Sequence, residues 1–178
     1  MTTRQELKVD LGGLMHQLRE VALRGNPAEC AEPMSGVSTQ VRGLRSESVF
    51  GGLRLTIDEP EVFGGTGSAP NPAEVALAAL GASLEVTLRC YAEYFGMAVE
   101  GISVELAGAL DSRGFFGTDS SVRAGFQSIE ATIRVRSSAP AAQIEKLMTH
   151  VEACCPVLDL FRAPTPVHLR MRRDASGD

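Results

Sequence analysis

Asn71-Pro72-Ala73-Glu74-Val75-Ala76-Leu77-Ala78-Ala79-Leu80-Gly81-Ala82-Ser83 is the stretch from which the rest of the chain can be organised. Asn71 offers a side-chain oxygen to the free N–H groups of a helix start, and Pro72 fits the first helical position. Glu74, three after the cap, completes a capping box. A long helix is predicted to begin here and run to Tyr94-Phe95, with Gly96 placed to end it. Its first half is apolar or small on every side, which predicts burial all round with other elements wrapped about it.

Downstream of this helix, Ile102, Val104 and Leu106 alternate with polar or small residues. Ile129, Ala131, Ile133 and Val135 then alternate with Glu130, Thr132, Arg134 and Arg136. Period-two patterns of this kind predict antiparallel strands with one wet face, joined by a loop over Asp111 to Gly125. Ser138-Ala139-Pro140 opens a further helix with an apolar stripe of Ile144, Leu147, Met148, Val151 and Cys154, a stripe that reads Cys154 as packing. Cys155 stands before Pro156, which disfavours continuing that helix. A last strand is expected to point Val167, Leu169 and Met171 inward and His168, Arg170 and Arg172 outward, before a polar tail at 174–178.

Upstream, Asp58 to Pro70 is a loop rich in glycine and proline, with neither the spacing nor the lysine of a P-loop. Before it, Val37/Thr39/Val41 and Leu53/Leu55/Ile57 read as strands, with a hairpin turn at Gly51-Gly52. Leu11, Leu14, Leu18 and Val21 share one face of a short helix ending near Gly25-Asn26-Pro27, a packing surface for core or for a subunit contact. The organisation is therefore a helical appendage over residues 1–35, one α+β domain over 36–173, and the tail.

At 178 residues, 44% hydrophobic and 22% charged, the chain suits one globular domain. Its net charge of -5 gives no electrostatic reason to approach phosphate backbones or anionic lipid, so neither nucleic acid nor membrane is an expected partner. The longest apolar run, Val75 to Ala82, is far shorter than the roughly 20 residues of a bilayer-spanning helix. The polar start Met1-Thr2-Thr3-Arg4-Gln5-Glu6 predicts no secretory signal, and the cytoplasm is the expected location. The four cysteines, Cys30, Cys90, Cys154 and Cys155, lack a paired C-x-x-C, which argues against a disulfide scaffold or zinc site and leaves a thiol role open. His16, His150 and His168 have no ligand spacing between them, so neither a metal nor another cofactor is expected.

Two stretches resemble a known family. Asp58-Glu59-Pro60-x-x-Phe63-Gly64-Gly65-Thr66-Gly67-x-x-Pro70-Asn71-Pro72-x-Glu74, leading into Ala78-Ala79-Leu80-Gly81-Ala82, is similar to the signature ahead of the central helix in the osmotically inducible/organic hydroperoxide resistance (OsmC/Ohr) thiol peroxidases. Cys155-Pro156-Val157 is similar to their second signature. The resemblance spans about residues 36 to 172. It implies an intertwined homodimer in which antiparallel sheets with strands from both chains wrap two long central helices, with reactive sites at the interface. It also implies a peroxidatic cysteine directly after the Gly-Ala pair, where this chain has Ser83. On the same basis Cys155 matches the resolving cysteine, Glu74 the acidic residue and Arg45 the arginine that polarises the thiol.

Peroxide reduction needs a thiolate that is oxidised to sulfenate, which a serine hydroxyl cannot become. Ser83 lies in no G-x-S-x-G elbow, and a helical serine commonly bonds back to a carbonyl. Glu74 has a capping role of its own. Cys90 lies two turns, or about 10 Å, beyond Ser83 on nearly the same face, and is either a displaced redox thiol or a small core hydrophobe. Cys155 at a helix end would need a local cation to become a thiolate, for which Arg45 is the candidate. Three functions follow. One is an OsmC-like protein with peroxidase activity lost or much reduced, whose interfacial pocket binds a small apolar molecule. The second is an active organic hydroperoxide reductase using Cys90 or Cys155, and the third is a non-enzymatic, stress-associated dimer.

Overall fold

The computed structural model describes residues 9–163 and 165–173; the tail at 174–178 and the polar start at 1–8 lie outside the described residues. The predicted central helix, α2, spans Pro72–Tyr94. Its capping box is complete: Asn71 Oδ1 accepts from the Glu74 N–H at 2.9 Å, and the Asn71 N–H donates to Glu74 Oε2 at 2.8 Å. The appended helix α1, Leu11–Arg24, is capped by Asp10 and lies along α2. The long strands β4, Val99–Ala109, and β5, Ser128–Ser137, form an antiparallel pair in which Ile102 faces Val135 and Val104 faces Ile133. Their apolar face covers one side of α2, while α4, Ala141–Cys154, and α5, Pro156–Arg162, cover another. The core is what these elements share: Leu80, Leu84, Leu88, Ala92, Val99, Leu147, Val151 and Cys155.

The upstream region forms a meander of β1, Gly36–Arg42, β2, Arg45–Phe50, and β3, Leu53–Ile57. Gly51 and Gly52 take φ values of 56° and 79°, the left-handed pair that a two-residue hairpin turn requires. A second turn at Gly43-Leu44 separates β1 from β2, so the region forms three strands. The loop over 111–125 contains a short helix, α3, Ser112–Phe116.

Two expectations need correction. α2 is not buried all round: Ala78, Ala79, Ala82 and Val86 are exposed, because one two-stranded sheet and three helices cover only part of its circumference. The last strand does not form, and Val167, Leu169 and Met171 stand in solvent, because an alternating segment becomes a strand only when a neighbouring edge accepts its hydrogen bonds. The helix does stop before Pro156, as the sequence predicts, and Pro156 in addition occupies the first position of a further helix, α5, where its missing N–H costs nothing. By length and composition α2 passes as a membrane span, because its many small apolar residues raise the average. Here, however, it is the core helix and carries Glu74, Glu85, Arg89 and Glu93.

Candidate functional site

α2 presents Ser83 half-buried towards the junction of α4 and α5, and there its Oγ lies 3.2 Å from Cys155 Sγ. Cys155 is 2% exposed and has extended backbone angles, at once the C-terminal cap of α4 and the residue preceding α5. That corrects its placement at a simple helix end, since the carbonyl end of one helix and the N–H end of another meet at this residue. The chain break in helicity at Pro156 is what turns the thiol inward onto α2. Hydroxyl and thiol can exchange donor and acceptor roles across this contact, but neither is accompanied by a base or cation among the hydrogen bonds of the described residues.

The other two sequence-predicted site residues are placed elsewhere. The Glu74 carboxylate is engaged in the capping box at the start of α2. Arg45 opens β2 and reaches Glu47 at 3.8 Å, while Glu47 makes its shorter contact, 2.6 Å, with Arg54. The Nε of Arg45 is buried and has no hydrogen-bond partner among the described residues. Cys90 does not join Ser83 and Cys155; it lines a separate cavity of about 430 Å³ with Leu11, Glu85, Val86, Arg89 and Ile102. Cys154 is exposed rather than packed, since the helix ends before its stripe is covered.

A residue the sequence did not single out organises the approach to α2. Asp58 is 1% exposed, and its Oδ2 accepts from the backbone N–H and hydroxyl of both Thr66 and Ser68, at 2.5 to 3.1 Å. The Thr66 hydroxyl, supported by the Ser68 and Glu59 donors, holds the carboxyl well below the ordinary carboxylate range in spite of burial. Gly65 is required beside it, because a Cβ there would overlap the Glu59 carbonyl. The loop of the first signature is therefore drawn around one buried carboxylate. Only the clustering of Thr66, Ser68 and Asp58 around the glycines hinted at this.

The fold and site define an α+β protein whose long capped helix carries a hydroxyl against a buried thiol. A profile of the OsmC-like protein family matches residues 65–170, and the chain belongs to that family. Solved structures agree on the fold. An OsmC-like protein from Mycoplasma pneumoniae superposes with TM-score 0.66 at 13% identity, over 75% of this chain and 89% of that one. An organic hydroperoxide resistance protein OsmC from Legionella pneumophila gives TM-score 0.57 at 20% identity, over 75% and 91%. A Vibrio cholerae organic hydroperoxide resistance protein with captopril bound in one of its active sites gives 0.53 at 16%, over 76% and 89%. No curated protein sequence matches the chain.

Proposed function

We propose that this protein is an OsmC-like homodimer in which Ser83 stands in the place of the peroxidatic cysteine, so that hydroperoxide reduction is lost or much reduced. On this reading the interfacial pocket keeps a binding role for a small apolar molecule. The observation that carries it is the 3.2 Å contact between Ser83 Oγ and Cys155 Sγ, the pairing expected of a peroxidatic and resolving position with oxygen in place of the first sulfur. Oxygen at Ser83 offers no electron pair that can be oxidised to a sulfenate equivalent, so O–O cleavage has no nucleophile there. Cys155, buried against that hydroxyl, lacks the access that activates a thiol, and among the described residues no cation hydrogen-bonds to it.

The dimer is supported by surface left uncovered. The chain exposes 14220 Å², against roughly 8,300 Å² for a compact monomer of its 18.9 kDa. The meander of β1 to β3 makes no substantial contact with the helices, and β1 is exposed along its whole length. A second copy would cover the bare side of α2, offer an edge to the segment around Val167 to Met171, and bring an acceptor to the orphaned Nε of Arg45. The ligand role is supported by the V. cholerae relative, which holds a small molecule in an active site. A cytoplasmic location is proposed with the same reading, and the expectation of neither nucleic-acid nor membrane partners rests on the net charge of -5.

Cumene hydroperoxide with a dithiol reductant tests the proposal, and consumption at the background rate is expected. Turnover abolished by Cys155→Ser or Cys90→Ser would replace it with the active-reductase reading. Mass spectrometry of the native protein separates a ligand-bearing dimer from an empty structural one.

A further inference from the structure

Cys154 closes α4 and is exposed, and its thiol takes no part in the Ser83 contact. Its Sγ lies 3.7 Å from Nε2 of His150, one turn earlier on the same helix face. The imidazole is fixed edge-on between Tyr91, at 4.2 Å between ring centroids, and Phe95, at 5.4 Å. Burial, then the neighbouring Cys154, holds the Tyr91 phenol above its usual range, while the Arg19 charge acts in the opposite sense. A cavity of about 360 Å³ adjoins the group, lined by Phe95, Met97, Gln143, Lys146, Leu147 and His150. None of these residues serves the Ser83 contact.

We propose that Cys154 is a reactive surface thiol with His150 as its proton acceptor, and that it exchanges with acidic small-molecule disulfides. Exposure alone does not activate a thiol. A base within reach, itself oriented by neighbouring rings, does. In the step, the Cys154 proton passes to His150 Nε2 and the sulfur attacks one sulfur of the incoming disulfide. The old S–S bond breaks as the new one forms, and the departing thiolate leaves with its electron pair and is protonated by the imidazolium or by water. One disulfide is consumed and one is made, so no further oxidant is needed. Lys146, in the lining of the adjoining cavity, supplies the positive charge that selects an acidic partner. The proposal stands independently of the reading of Ser83.

Reduced full-length protein exposed to oxidised glutathione, with adducts located by peptide fragmentation, provides the test. Cys154 should be modified well ahead of Cys30, which is also exposed and whose thiol meets the Ala22 carbonyl, with no histidine among its hydrogen-bond partners in the described residues. Cys154→Ser should remove the fast phase and Cys155→Ser should keep it. His150→Gln should slow it by roughly tenfold or more while the Cys30 rate stays unchanged. Imidazole added to His150→Ala should restore part of the rate, which a merely structural role of the ring would not allow. Equal rates at Cys154 and Cys30, an unmodified Cys154, a His150→Gln rate equal to wild type, or no rescue by imidazole would each overturn the proposal.

Discussion

Replacing Ser83 with cysteine probes the candidate site most directly, because it converts a non-covalent contact into one that can be locked. A C–S bond is longer than the C–O bond it replaces and an S–S bond is about 2 Å, so the 3.2 Å between Oγ and Sγ has to close by about 1 Å or less. The two residues are 72 apart in sequence, and cross-linking a loop of that length lowers denatured-state entropy by about 4 kcal/mol, an upper estimate that strain reduces. At about 2–4 °C per kcal/mol for a chain of this size, the oxidised form of Ser83→Cys should melt roughly 10 °C above its reduced form. The assay is thermal unfolding of one variant before and after diamide treatment, at fixed protein concentration, with Ser83→Cys/Cys155→Ser as the uncrosslinked control. A folded variant that stays reduced under diamide, or whose two forms melt together, would refute the placement of the side chains. If the disulfide forms and cumene hydroperoxide is also consumed, Ser83 alone separates this protein from an active peroxidase. If it forms without turnover, the surroundings of the thiol have changed as well.

Other outcomes are expected from the same geometry. Asp58→Asn should lower Tm at neutral pH by removing the charge that Thr66 and Ser68 donate to. Because the folded pKa of Asp58 is depressed, its contribution is fully present above the ordinary carboxylate pKa of about 4 and is lost as pH falls below it, so wild type and variant should converge in acid; an unchanged gap at low pH would refute this. Gly65→Ala should destabilise the same loop, since its Cβ would meet the Glu59 carbonyl, and a wild-type melting curve would count against that. Light scattering at micromolar concentration should return about twice 18.9 kDa, and the monomer mass would contradict the proposed dimer.

The limits of α2 were legible in the sequence, because caps and terminating glycines act within one or two turns: Asn71, Pro72 and Glu74 specify a start whatever surrounds them. The β4–β5 pair was legible for a similar reason, since alternation at Ile102 to Leu106 and Ile129 to Val135 assigns each side chain to a face. The sequence could not say what covers a face. The same periodicity that placed Val167, Leu169 and Met171 on one side of a strand is exposed in the structure, because a strand needs a partner edge that the pattern does not supply. Cys154 continued an apolar stripe and still lies in solvent beside His150, because the helix outruns its cover.

In the candidate site, Ser83 and Cys155 were named from the resemblance, and the tertiary structure decided that they meet while Glu74 and Arg45 stay apart from them. Such meetings are set by how helices pack across long loops, which local spacing does not encode. The Asp58 cradle belongs to the same class: its donors are eight and ten residues away and converge only because the loop folds back without a Cβ at Gly65. Sequence alone determined the elements and the residue types available for chemistry. Packing decided which polar atoms are buried, which of them face each other, and which apolar surfaces are left for another molecule, since those depend on the whole chain closing at once.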